Sequence, residues 1–127
     1  MTSALIDKAL RAIVSAKLLN AAGDTDGAAN RAYYAMYDAA IAALAWAGGA
    51  DEGSPRTHSG LIARFGQRLV QSGKVSPELG RSINRVQELR LSADYVAASV
   101  SLERAEWAIH EAEAFVAAIR ALLNGAK

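Results

Sequence analysis

Apolar residues recur at intervals of three and four along almost the whole chain, and this spacing predicts helices from end to end. Ile6, Ala9, Leu10, Ile13 and Ala16 trace one face of a first helix that begins with Thr2 or Ser3 as cap, reaches about Ala21 and is stopped by Gly23. A second helix is predicted from a cap at Asp24 or Asp26 to about Ala47. Its stripe is Tyr33, Met36, Tyr37, Ala40, Ile41 and Leu44, and Gly48 and Gly49 end it. Glycines with Asp51, Glu52, Ser54 and Pro55 make the stretch 48–55 a loop. A third helix is expected from about Arg56 to Gln71, with Leu61, Ile62, Phe65 and Leu69 inward, and Gly60 and Gly66 weaken it. Ser76 followed by Pro77 starts a fourth, with Leu79, Ile83 and Val86 spaced for burial and fraying expected near Ala93. Ser101 caps the last helix, whose stripe of Ala105, Ile109, Ala112, Val116, Ile119 and Leu123 closes at Asn124 and Gly125. No repeat at a fixed period and no alternating run long enough for a sheet is present. The expected architecture is all-α, an up-and-down bundle of about five helices forming one domain over residues 1–127.

Composition narrows the function classes. With 127 residues, 52% of them hydrophobic and 21% charged, the chain can bury a core, which excludes disorder. No apolar run approaches the roughly 18 residues of a membrane span, so no membrane association is expected. The absence of cysteine excludes a disulfide framework, a thiolate zinc site and a cysteine nucleophile. His58 and His110 have no partner ligand at helical offset, so neither a metal nor another cofactor is expected. Asp7, Lys8, Arg11 and Lys17 are spread through the first 22 residues, which do not make a signal peptide, and a cytoplasmic location is expected.

The net charge of +1 hides an asymmetry. Residues 1–55 carry four basic and six acidic groups, 56–90 seven and two, and 91–127 three and five. The basic block of Arg56, Arg64, Arg68, Lys74, Arg81, Arg85 and Arg90 either attracts an anionic ligand or solvates helix faces. Asn30, Tyr34 and Asp38 lie four apart on one face of the second helix with Arg31 beside them. In an isolated helix this face would be a tyrosine packed at a rim and an arginine extended over it. Arg90 precedes Asp94 by four residues, so the two can pair, and Tyr95 follows. His58 lies near Arg56 and Arg64, where it serves as a surface or capping residue unless the fold carries it toward Arg90. Arg104 and His110 sit six positions apart in one helix, about 600° of rotation, and therefore on different faces.

Three blocks, Asn30-Arg31-Ala32-Tyr33-Tyr34-Ala35-Met36-Tyr37-Asp38, Thr57-His58-Ser59-Gly60-Leu61-Ile62 with Phe65, and Glu88-Leu89-Arg90-Leu91-Ser92-Ala93-Asp94-Tyr95, resemble the HEPN domain family in its small stand-alone branch. The resemblance covers about residues 4–123, and the first block is the most specific. It implies a helical bundle that dimerises with polar helix faces meeting in a shared cleft, often encoded with a minimal nucleotidyltransferase as a toxin–antitoxin pair.

Many relatives are metal-independent ribonucleases carrying arginine, four to six residues, then histidine. Metal-free RNA cleavage needs a base for the 2′-hydroxyl, a cation against the developing phosphorane charge and an acid for the leaving oxygen. Arg90 matches the arginine, but Leu91 to Val96 contain no histidine. Asp94 is a weak base at an ordinary pKa of about 3.9, and weaker beside an arginine.

The resemblance therefore implies a dimeric module presenting Arg31, Tyr34, Asp38, Arg90 and Asp94 to nucleotide or RNA, or serving a nucleotidyltransferase partner. The alternatives are an endoribonuclease toxin using Arg90 with Asp94 or His58, and a structural oligomerisation bundle whose apolar stripes bind another helix. Tyr95 stands where some relatives carry a tyrosine that is adenylylated, which would set a bulky anion beside Arg90.

Overall fold

The computed structural model describes residues 2–48, 57–95 and 99–125, with the side chains of Asp94 and Tyr95 outside the described ones. Among the described residues the fold is an all-α bundle of five helices with no strand. They are α1 (Thr2–Ala21), α2 (Thr25–Trp46), α3 (His58–Phe65), α4 (Pro77–Tyr95) and α5 (Leu102–Leu123). Loop residues 49–55 and Arg56, the expected start of the third helix, lie outside the described residues.

The helix ends follow from local chemistry. Gly23 takes φ +89° after α1, and Asp24 caps α2 by accepting from the Gly27 amide at 2.8 Å. Asp26, the other candidate cap, instead accepts from the Val100 amide at 2.8 Å, while Thr25 Oγ1 donates to the Val100 carbonyl at 2.6 Å. The start of α2 is thereby pinned to the strap that precedes α5. Thr57 caps α3 and Ser101 caps α5, accepting from Gly60 and Arg104 amides respectively. Under both Asp24 and Thr57 the third residue on is a glycine, where a β-carbon would crowd the capping oxygen. Gly60, costly for helix propensity, thus makes room for the cap that starts α3.

The third helix departs from the expected continuous run to Gln71. After Phe65 the chain widens into a π-helical turn over Gly66–Val70, closed by the Gln71 amide on the Gly66 carbonyl at 2.9 Å, and then reverses at Gly73, φ +80°. Glycine at position 66 weakens the α-helical preference where the ladder slips, and Leu69 remains fully buried. The fourth helix continues past the expected fraying point at Ala93, to Tyr95.

The core is centred on α2. Twelve of its residues are buried, including Ala28, Ala32, Ala35, Ala39, Ala42, Tyr33 and Met36, and α1, α4, α5 and α3 all pack against it. A helix buried this far round is a core helix rather than an amphipathic one. Ala9, Ala12 and Ala16 of α1 and Ala105, Ala108 and Ala112 of α5 are also buried. Small side chains on these helices let their backbones approach closely. Phe65 and Phe115 stack at 5.3 Å and join α3 to α5, and Ser82 Oγ donates to Glu111 Oε1 at 2.9 Å between α4 and α5.

Leu10, Tyr37, Ile41, Ile62, Leu79 and Leu123, expected inward, are half-buried at the core's margin. Among the described residues the exposed large apolar side chains are Val14, Leu18, Trp46 and Leu102, scattered over three helices. Most residues of the apolar stripes thus pack in or against this chain's own core.

Replacing Ala39, which is fully buried, should overpack the bundle. We expect Ala39→Leu to lower unfolding stability by about 1–3 kcal/mol, read as a reduced urea midpoint with an unchanged m-value.

Candidate functional site: an imidazole enclosed by tyrosines beneath an arginine

Successive turns of α2 place Tyr33, Tyr34 and Tyr37 at its edge facing α3 and α4. Tyr33 and Tyr37 are four apart on one face, and Tyr34 lies beside them. Opposite, His58 is the first residue of α3, its position set by the Thr57 cap. The three tyrosine rings surround the imidazole with centroids 5.3, 5.6 and 5.0 Å away. Tyr33 Oη is 2.9 Å from His58 Nδ1, and Tyr34 Oη is 3.4 Å from Nε2.

Arg90 reaches over this cluster from α4. Its guanidinium carbon is 5.0 Å from the Tyr33 ring centroid and 5.8 Å from that of Tyr34, while Nε donates to Gln87 Oε1 at 3.1 Å. Cation–π contact of this kind contributes about 0.5–2 kcal/mol according to how far water is excluded. Arg90 and Gln87 are both buried, at 9% and 8% exposure, so this cation is embedded in the fold rather than solvated at its surface. The Arg31 guanidinium also lies over the Tyr34 ring, 5.8 Å from its centroid. Two guanidiniums therefore approach one half-buried tyrosine.

The electrostatics follow. Burial, and after it the Arg90 charge, push the His58 imidazole below its usual 6.5, so His58 is neutral at neutral pH. Burial pushes the Tyr33 phenol well above the usual tyrosine range, opposed by Arg90, and it stays protonated. These residues form a cationic and aromatic patch whose imidazole carries no charge.

The fold brings together Arg31, Tyr34, His58 and Arg90. The face of Asn30, Tyr34 and Asp38 is not uniformly exposed, because Asp38 is buried at 7% exposure. Burial raises the Asp38 pKa against the opposing pull of Lys8 and Arg31. Asp38 forms no hydrogen bond, ion pair or ring contact with the tyrosine cluster among the described residues. Asp94 and Tyr95 end α4 one turn beyond Arg90, and their side chains lie outside the described ones. Arg104 stacks on Trp107 at 4.8 Å, and His110 is exposed beside Glu106 and Glu113, away from the cluster. Among the described residues no group of acidic or histidine side chains could hold a metal ion, and no helix is long and apolar enough to cross a membrane.

Tyr33 and Tyr37, which the apolar stripe of the second helix placed in the core, line this site, and so does Gln87, which no sequence signal singled out. A signal was present in Tyr33, because a tyrosine rather than a phenylalanine at a fully buried position requires a hydrogen-bond partner for its hydroxyl.

A bundle of this size with the tyrosine-rich α2, the capped histidine and the α4 arginine defines the class. The HEPN domain model matches residues 2–122, and the chain belongs to the HEPN family. It is 36% identical over 95% of its length, and 87% of the relative's, to a protein of Methanocaldococcus jannaschii named "Putative toxin". It is also 37% identical to a UPF0332 protein of Thermotoga maritima, over 94% of this chain and 89% of the relative. A UPF0332 protein of Gloeobacter violaceus is 34% identical over 72% of this chain and 69% of its own.

The sign of the His58 shift makes a testable statement about stability. A base whose folded pKa lies below its unfolded value of 6.5 adds stability that is fully present above 6.5 and is lost as pH falls through the folded value. We expect the wild type to lose stability on acidification from about pH 7 to 5 relative to His58→Gln, measured by urea unfolding at each pH. Asp38 is common to both proteins and cancels in the difference.

Proposed function

We propose that this chain is a dimeric, toxin-like HEPN module that binds RNA or nucleotide, working with a minimal nucleotidyltransferase partner in a toxin–antitoxin pair. The single observation that carries the ligand class is the clustering of Arg31 and Arg90 about Tyr34 with His58 beneath. A tyrosine ring with two guanidiniums close by suits a nucleobase stacked beside a phosphate. Stacking of this kind is worth about 1–3 kcal/mol per base, and arginine supplies fork-shaped phosphate contacts. The family and the toxin naming of the Methanocaldococcus relative support the biological setting. Asp38, an acid held against Lys8 and Arg31, serves in this assignment to hold the helix face rather than to touch an anion.

A second activity, metal-independent endoribonuclease, is favoured by one observation. His58 meets the same two tyrosines as Arg90, which makes it the candidate for the imidazole missing after Arg90 in the sequence. Arg90 would stabilise phosphorane charge, with His58 or Asp94 as its partner.

The test is fluorescence anisotropy with single-stranded and structured RNA in EDTA, together with end-group analysis of any cleavage product. We expect wild type to bind RNA. Tyr34→Ala should weaken binding by about 1–3 kcal/mol, and Arg31→Ala should flatten the slope against log salt by about one unit. Cleavage in wild type that disappears in both Arg90→Ala and His58→Ala would establish the nuclease. No binding by the wild type would reject the module. Intact-mass measurement after co-expression with a neighbouring nucleotidyltransferase tests modification at Tyr95, where a nucleotide-sized mass increment lost in Tyr95→Phe is expected.

A further inference from the structure

His58 has both ring nitrogens facing phenols, and a neutral imidazole offers one donor and one acceptor. Which nitrogen carries the proton decides what the site can do. The two tyrosines are not equivalent. Tyr33 is fully buried, and among the described residues its hydroxyl has one hydrogen-bond partner, Nδ1 at 2.9 Å. If Nδ1 held the proton and donated to Tyr33, the phenolic hydrogen would be buried without an acceptor, which costs about 1–3 kcal/mol. If Tyr33 donates to Nδ1, every group is satisfied, and the imidazole proton goes to Nε2. Tyr34 is half-buried and can give its own hydrogen to water, so it accepts from Nε2 without penalty. The 3.4 Å separation is long for a hydrogen bond and leaves that donor underused.

We infer that Tyr33 is a positioning residue that locks His58 as its Nε2–H tautomer, so that His58 presents a hydrogen-bond donor to a phosphoryl oxygen and not a base. Arg90, over the same two rings, supplies the charge, and His58 supplies a directed N–H beside it. The two act together as an oxyanion-binding pair. The geometry also bears on the nuclease alternative. A Nε2 that already carries hydrogen cannot remove one from a 2′-hydroxyl, so within that reaction His58 would stabilise charge and the base would lie elsewhere. The inference rests on the proposed RNA or nucleotide binding for its ligand, but not for the tautomer.

The experiment uses the full chain labelled with nitrogen-15 histidine. The chain has two histidines, and His110→Gln assigns the signals. Above the titration of His58, long-range proton–nitrogen correlations should show Nε2 protonated and Nδ1 bearing a lone pair, with the two tautomers mixing in Tyr33→Phe. Binding of a 5′-phosphorylated oligoribonucleotide, compared with adenosine 5′-monophosphate and inorganic phosphate, then separates donor from base. The amide nitrogen of glutamine stands near the place of Nε2 and donates but cannot act as a base. His58→Gln should therefore hold affinity within about threefold of wild type, while His58→Ala loses about tenfold or more, as for a hydrogen bond to a charged group.

A protonated Nδ1 in the wild type, or an unchanged spectrum in Tyr33→Phe, would overturn the inference. So would equal loss of affinity in His58→Gln and His58→Ala. A wild type that shows the Nε2–H signature but binds none of the three probes would overturn the binding proposal while leaving the role of Tyr33 standing. The wild-type spectrum and His58→Gln decide the matter even if Tyr33→Phe does not fold.

Discussion

The close packing around α2 is the constraint on which the rest of the structure depends. A helix of 22 residues with buried side chains on nearly every side can be accommodated only if most of them are small, and alanine fills that role at eight of its twelve buried positions. Alanine carries the highest helix propensity and gives up no rotamer entropy on burial, so α2 is favoured locally and packed tightly at once. The same economy leaves little side-chain bulk to define the core. That task falls to Tyr33, Met36, Phe65, Leu69 and Phe115, which reach between helices where alanine cannot. Tyr33 is therefore both a core filler and, through its hydroxyl, a polar link from the core's centre to His58.

How far the fold was legible follows from which signals are local. Asp24, Ser76 with Pro77, and Ser101 announce helix starts because capping involves neighbours two or three residues apart, whereas the cap at Thr57 stood one residue inside the expected start of the third helix. The periodic stripes of α1 and α5 identify buried faces for the same reason. The π-helical turn at Gly66 was not legible, since a ladder slip of one residue leaves the apolar spacing of Leu61, Phe65 and Leu69 intact. The burial of Asp38 also escaped a helical-wheel argument. A wheel places residues on a face but does not say whether another helix covers it.

The site was legible in its parts and not in its assembly. Arg31, Tyr34, Arg90 and His58 each stand out in the chain, but sequence spacing relates only pairs on one helix. His58 and Arg90 are 32 positions apart on different helices, and their meeting depends on how α3 and α4 pack on α2. The hydroxyl of Tyr33 carried the missing information. Phenylalanine would serve the core as well, and a buried hydroxyl implies a partner that only the tertiary structure supplies.

This division of labour ties the chemistry to the stability of the bundle. When arginine and histidine share one helix, their separation is fixed by helical geometry and survives small shifts in packing. Here the imidazole rides on an eight-residue helix, shorter than those stable alone, held by Leu61 and Phe65 in the core and by a threonine cap at its start. Its position beneath Arg90 is thus a property of the α2–α3 contact. The hydrogen bond from Tyr33 to Nδ1 opposes rotation of the ring as well as tautomer exchange, so one buried hydroxyl holds in place what the short helix alone would not. In this fold the orientation of the site and the closure of the core are consequences of the same side chain.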